Sequence, residues 1–111
     1  MKDNKELAHD RICSLVEAEF RGRGFKTLNH YTYYGNKRNS AIGEIDIIAW
    51  KTGYKRAIVI EVKYNDNQKN RNKAKEQLNR SEHYCKALQE YNITKMYAYH
   101  QNKCYVLKKV I

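Results

Sequence analysis

Two carboxylates and a lysine interrupt the most hydrophobic part of the sequence. Asp46 lies in the run Gly-Glu-Ile-Asp-Ile-Ile-Ala-Trp, and Glu61 and Lys63 lie in the run Ala-Ile-Val-Ile-Glu-Val-Lys-Tyr, with fourteen residues between the two acids. Both runs are rich in β-branched residues, and the polar segment between them suits a turn, so residues 43–64 are predicted to form a hairpin. Burying a carboxylate without a partner is costly. These charges therefore need a chemical reason.

A divalent metal ion would supply that reason. Mg²⁺ and Mn²⁺ prefer oxygen ligands, and two neighbouring strands can present Asp46 and Glu61 to one ion. Because side chains alternate across a strand, Lys63 is predicted to lie on the same face as Glu61, where it could hold a water molecule or a phosphate oxygen. The same alternation predicts that Asp46 lies opposite Ile45 and Ile47.

A solvated salt bridge at the sheet edge is the alternative interpretation, and it accounts for most isolated Glu-x-Lys sequences. It fits this sequence less well, because Asp46 adds an acid on the preceding strand and because the flanking residues are strongly apolar. The two interpretations differ in whether this face of the sheet binds a metal.

The rest of the chain predicts elements that would hold the hairpin in place. They are a helix over residues 4–21, a strand over 25–34, a basic loop over 35–40, a helix over about 71–90, and a closing hairpin with strands 93–99 and 104–110 turned by residues 100–103. The second helix has one apolar face at intervals of four and three residues, formed by Ala74, Leu78, Ser81, Cys85 and Leu88.

The first helix places two titratable side chains on or beside its apolar stripe. Glu19 lies near the middle of the stripe and His9 lies at its edge, whereas Asp10 and Glu17 are predicted to point elsewhere. A histidine at such an edge is usually an ordinary core or surface residue.

Length and composition indicate the class of protein and of partner. A chain of 111 residues predicts a single domain over residues 1–111, and its net charge of +10 favours a polyanionic partner. The apolar runs are too short to span a membrane, the N-terminus lacks the apolar core of a signal peptide, and the three cysteines are scattered. We therefore expect a cytoplasmic, nucleoid-associated protein.

Basic residues are concentrated after the central hairpin. Residues 63–80 contain six basic and two acidic side chains, which on its own suits a solvated helix face. Next to a carboxylate cluster in a basic chain, phosphate binding is the better interpretation. The candidate DNA-binding residues are Lys37, Arg38, Lys69, Arg71, Lys73, Lys75 and Arg80.

The predicted order, helix, three strands, helix, two strands, together with Ile-Asp46-Ile and Ile-Glu61-Val-Lys63, resembles the PD-(D/E)XK nuclease superfamily. Within it the chain is most similar to the archaeal Holliday junction resolvases and RecB-like nucleases. The resemblance implies an α/β, restriction-endonuclease-like core with order αβββαββ and a mixed sheet flanked by helices. It also implies Mg²⁺- or Mn²⁺-dependent hydrolysis of DNA, with Asp46 and Glu61 as metal ligands and Lys63 positioning or activating the attacking water.

Two further site residues follow from the resemblance. The first-helix ligand falls near His9, where RecB-like exonucleases often carry a metal-binding histidine, with Glu19 as the alternative. Gln77 matches the glutamine of the RecB-like motif, but Ser81 occupies the place of its tyrosine, and Tyr84 lies one turn further on.

The resemblance implies a DNA endonuclease acting on branched DNA, with the four-way junction as the first candidate. The alternatives are a RecB-like exonuclease, a nuclease tolerant of single strands or other structures, and, from another class, a non-catalytic nucleic-acid-binding module. Junction resolution would require a symmetric homodimer, because two strands are cut in pairs. Tyr31, Tyr33 and Tyr34 are candidates for stacking on unpaired bases.

Overall fold

The computed structural model describes residues 3–34 and 41–110, which form one five-stranded mixed sheet with a helix on each face. The elements are α1 (Asn4–Gly22), β1 (Lys26–Tyr34), β2 (Ala41–Trp50), β3 (Arg56–Lys63), α2 (Gln68–Tyr84), a 3₁₀ turn (Lys86–Leu88), β4 (Asn92–Gln101) and β5 (Cys104–Lys109). The predicted order αβββαββ is confirmed, and it is consistent with the restriction-endonuclease-like fold.

The strands lie in the order β1-β2-β3-β4-β5. Neighbours are antiparallel except β3 and β4, which are parallel and are joined through α2, because a parallel pair needs a crossover connection. Both predicted hairpins are confirmed. The second turn is shorter than predicted, since His100 and Gln101 belong to β4, and Asn102 and Lys103 turn the chain with φ values of 50° and 62°.

The two helices pack on opposite faces of the sheet. On the α1 face, one apolar cluster joins Ile12, Cys13, Val16 and Phe20 to Ile47, Ala49, Ile58, Ile60, Val62 and Ala98. On the α2 face, a second cluster joins Leu78, Cys85 and Leu88 to Tyr33, Ile45, Ile48, Ala57 and Val59. All five residues predicted to form the packed face are buried, but the helix ends at Tyr84 and not near residue 90, so Cys85 is its C-cap and Leu88 lies in the 3₁₀ turn.

The alternation of side chains fails next to Asp46. Ile45 and Ile47 were predicted to share a face, but Ile45 belongs to the α2-face cluster and Ile47 to the α1-face cluster. His30, which lies in β1 between the partners of these two isoleucines, has a left-handed φ of 47°. The prediction is wrong because it assumed ideal strand geometry, whereas the backbone is distorted here without a shift in register, and Asp46 lies against His9 of α1.

In the described part of the chain, neither α1 nor α2 has the length and hydrophobicity that a bilayer-spanning helix needs.

Candidate functional site

The site lies where β2 and β3 stop pairing. Their ladder runs from Trp50 opposite Ala57 to Ile47 opposite Ile60, and the next residues along the two strands are Asp46 and Glu61. In place of a strand-to-strand bond, the Val62 amide donates to Asp46 Oδ2 at 2.8 Å. This bond fixes the Asp46 carboxylate inside the sheet, where the residue is 7% exposed.

His9 reaches Asp46 from α1. Its Nε2 lies 3.3 Å from Asp46 Oδ2. The helix is held against the sheet by Ile12 and Val16, on the turns that follow His9, so the imidazole is carried to the point where the strands separate. The hydrogen bond to Asp46 raises the pKa of His9, which outweighs the opposite effect of burial.

The buried carboxyl groups of Asp46 and Glu61 have pKa values shifted in opposite directions. Burial raises the pKa of Asp46, but hydrogen bonds from His9, Glu61 and the Val62 amide outweigh it and lower that pKa. Burial and the charge of Asp46 raise the pKa of Glu61 far above its ordinary value of 4.5, and Lys63 offsets this only in part. The opposite shifts favour a proton on Glu61 and a negative charge on Asp46.

A cleft of about 680 Å³ opens beside this pair. It is lined by Lys5, Glu6, His9 and Asp10 of α1, by Glu44 of β2, and by Glu61, Val62, Lys63 and Tyr64 at the end of β3. The predicted trio is thus brought to one place, with Glu61 and Lys63 lining the cleft and Asp46 in contact with Glu61.

Three residues of the site, Asp10, His30 and Glu44, were not identified from the sequence. His30, Glu44 and Asp46 place their ligand atoms within 4.8 Å of one another, and His30 Nδ1 lies 3.0 Å from Glu44 Oε1. Asp10, predicted to point away from the apolar stripe of α1, lines the cleft, 3.9 Å from both His9 Nδ1 and His30 Nε2. The same prediction for Glu17 is wrong, because that residue is buried. Glu44 carried a sequence signal, two residues before Asp46, whereas the conformation of His30 has none.

A comparison with protein families identifies the class. The model of the uncharacterised protein family UPF0102 matches residues 15–107. The chain belongs to this family. UPF0102 is a PD-(D/E)XK-like nuclease family, so the resemblance drawn from the sequence is confirmed. The match includes Asp46, Glu61 and Lys63 but begins after His9, whose position rests on the structure.

Comparisons of this UPF0102 chain with curated proteins and with solved structures found no match.

The donor set of the UPF0102 site fits a divalent metal ion. Two buried carboxyl groups in contact supply the oxygen ligands that a divalent cation prefers, and binding it would release any proton they hold. The predicted set His9, Asp46 and Glu61 and the additional set His30, Glu44 and Asp46 share one carboxylate. The set of His30, Glu44 and Asp46 could hold a metal ion, and metal binding by His9, Asp46 and Glu61 stays a prediction.

The alternative first-helix ligand lies elsewhere. Glu19 is ten residues beyond His9, about 15 Å along α1. Its carboxylate accepts a hydrogen bond from Tyr105 Oη at 2.7 Å and lies 3.5 Å from Arg23. The structure therefore brings His9, and not Glu19, to Asp46.

Gln77 lies on the side of α2 that faces the sheet and does not line the cleft. Its Oε1 is buried and finds no hydrogen-bond partner among the described residues. A buried acceptor of this kind calls for a water or a bound group. Its catalytic role stays a prediction.

The predicted DNA-binding residues of α2 are exposed, and none of them lines the cleft. They are Lys69, Arg71, Lys73, Lys75 and Arg80. Arg71 also pairs with Asp66 at 3.2 Å. Lys37 and Arg38 lie outside the described residues. Among the residues that the structure describes, the cations lining the cleft are Lys5 and Lys63.

Proposed function

We propose that this UPF0102 protein is a metal-dependent nuclease that hydrolyses phosphodiester bonds in DNA. The observation that carries the proposal is the buried contact between Asp46 and Glu61 beside Lys63 in one open cleft. A metal-free protein gains little from burying two acids together, because their desolvation is costly. The nuclease-like fold of the family and the net charge of +10 support the same function.

Asp46 and Glu61 would hold the ion, with His9 as the third candidate ligand. When bound, the metal would supply positive charge to the scissile phosphate and lower the pKa of a water molecule. The Val62 amide and His9 Nε2 both contact Asp46 Oδ2, so this carboxylate is positioned before any ligand arrives. Such support of a ligand by its neighbours is typical of metal sites.

Lys63 would act on the substrate directly. It follows Glu61 by two residues on the same strand and lines the same cleft, so its ammonium group can meet a phosphate held there. Positive charge at that point stabilises the negative charge that gathers in the transition state. The exposed cations of α2 would neutralise phosphates further along the DNA.

Cleavage of a labelled DNA panel tests the proposal. Four-way junction, flap, single-stranded and duplex DNA would each be incubated with Mg²⁺, Mn²⁺ or EDTA. The four-way junction comes first, because the resemblance to Holliday junction resolvases predicts it, and paired symmetric cuts there would also indicate a homodimer. Cleavage is expected with metal and is expected to be abolished by EDTA, by Glu61→Gln and by Lys63→Ala.

The matched controls are Glu90→Gln and Lys55→Ala, which change the same residue types at exposed positions near the opposite end of the β2–β3 hairpin. Both are expected to cut like the wild type. DNA binding without any metal-dependent cutting would overturn the nuclease and support the non-catalytic binding module.

A further inference from the structure

Two aromatic rings stack at the edge of the cleft. Tyr64 and His100 have ring centroids 5.4 Å apart and planes inclined by 13°. They follow Lys63 and Tyr99, which are paired in the parallel β3–β4 ladder, and the His100 amide donates to the Tyr64 carbonyl at 3.3 Å. The backbone of two strands and the stacked imidazole therefore hold the Tyr64 ring in one orientation.

Tyr64 belongs to the cleft of the proposed nuclease. It directly follows Lys63 and lines the cleft together with Glu61 and Lys5. The cleft volume, about 680 Å³, is within the range of small-molecule sites, about 300–1,000 Å³. A phosphate held near Lys63 would thus lie close to the ring of Tyr64, the next residue along the chain.

Two cations lie beyond the stack. His100 lines a separate groove of about 250 Å³, together with Arg11 and Lys103. The stacked pair therefore lies between the cleft, which carries two lysines beside four acids that a bound metal would partly neutralise, and the two cations of the groove. This arrangement suits a nucleic-acid strand whose phosphates pass on both sides of an aromatic platform.

We propose that Tyr64, backed by His100, stacks on an unpaired base of the bound strand. The substrate class is then DNA with a single-stranded or unpaired nucleotide beside the cleaved bond, a conclusion that rests on the proposed nuclease function. Within a duplex, neighbouring base pairs cover both faces of each base, so a ring can stack only on a base that has left the stack.

The tyrosines singled out in the sequence do not form this platform. Tyr33 is buried, with its hydroxyl against Gly43, and Tyr31 packs on the α2-face cluster. Tyr34 is exposed but does not line the cleft. Among the residues that the structure describes, Tyr64 is the tyrosine that lines the cleft.

Binding to a labelled single strand and to its duplex tests the proposal. Affinities would be measured with Ca²⁺ in place of Mg²⁺, and again in EDTA, at one fixed salt concentration. Tyr64→Leu is expected to weaken single-strand binding about tenfold, the scale of one lost base–aromatic contact, and to leave duplex binding within about twofold. Tyr64→Phe keeps the ring and is expected to bind like the wild type.

Tyr54→Leu is the matched control, because Tyr54 is an exposed tyrosine at the other end of β3, roughly 25 Å away. It is expected to bind both DNAs like the wild type. Equal weakening of single-strand and duplex binding by Tyr64→Leu, or no weakening, would overturn the proposal. Wild-type protein that binds single strands through Tyr64 but never cleaves would overturn the nuclease instead.

Photocrosslinking gives a readout that does not depend on how the leucine variant folds. Wild-type protein irradiated with a single strand containing 5-iodouracil is expected to crosslink at Tyr64, identified by mass spectrometry of the peptides. Crosslinks confined to other tyrosines, such as Tyr34 or Tyr54, would place the base elsewhere and overturn the proposal.

Discussion

The two ends of the β2–β3 hairpin differ in how the two strands are bonded to each other. In the paired segment, residues 47–50 and 57–60, the backbones bond to each other, and Ile47, Val59 and Ile60 are completely buried. In the open segment, residues 43–46 and 61–63, this pairing is absent, and a side chain, Asp46, takes the Val62 amide. The apolar core and the candidate metal-binding carboxylates are therefore adjacent along both strands.

This difference shows how the fold tolerates its site. The open segment concentrates acids that disfavour folding in the metal-free protein, while the paired segment next to it buries apolar surface on both faces. The rigid ladder holds Asp46 and Glu61 in place, so the site needs no structure of its own. Stability and reactivity can therefore be changed separately.

Glu61→Gln, in the open segment, should have the largest effect, with opposite consequences for cleavage and for stability. We expect metal-dependent cleavage to fall about a thousandfold or more, because a ligand and a negative charge are lost together. We also expect a higher melting temperature at pH 8 without metal, since glutamine keeps the shape and, unlike Glu61 with its raised pKa, does not have to take up a proton on folding. Differential scanning fluorimetry with and without Mg²⁺ measures the second effect. A lower melting temperature without metal would contradict our account of the open segment.

Ile47→Ala tests the paired segment. Truncating this completely buried side chain should lower the free energy of unfolding by about 2–5 kcal/mol, because it removes apolar contacts and leaves a cavity. Urea denaturation measures the change. Leu7→Ala, at a position that is 54% exposed on α1, serves as the control and should stay within about 0.5 kcal/mol of the wild type.

The stability of the metal-free protein should decline as pH rises from 5 to 9. The folded-state pKa values of Glu61 and His9 lie above their ordinary values of 4.5 and 6.5, so both groups stabilise the fold while protonated and lose that contribution as pH rises. Melting temperatures across this range measure the slope. We expect a shallower slope in Glu61→Gln and in saturating Mg²⁺, and an unchanged slope in either would contradict the assignment.

Gly43→Ala should produce the smallest of these effects. A Cβ atom at Gly43 would lie 2.5 Å from Tyr33 Oη and 2.8 Å from Tyr33 Cζ, and that ring is buried. We expect a loss of about 1–3 kcal/mol in the free energy of unfolding, measured in urea. Gly22→Ala is the matched control, because nothing lies within 4 Å of its Cβ position, and it should not destabilise the protein.

Local patterns were sufficient for most of the fold. The order of elements, both hairpins and the packed face of the second helix followed from hydrophobic periodicity and turn residues, which depend on neighbours in the sequence. Asp46, Glu61 and Lys63 stood out because charge inside a β-branched run is unusual. The family match, with its nuclease-like fold, agrees with that part of the prediction.

The tertiary structure alone decided how the site is completed. His9 rather than Glu19 approaches Asp46, and Tyr64 stacks on His100, so both contacts join segments that are distant in the sequence. The left-handed φ of His30 and the failed alternation beside Asp46 arise where β1 meets β2. Contacts of this kind depend on the register between strands and the packing of α1. A shift of one residue in register reverses the face that a side chain occupies. The central acids could therefore be predicted from the sequence, whereas the residues around them were determined by the packing of the sheet.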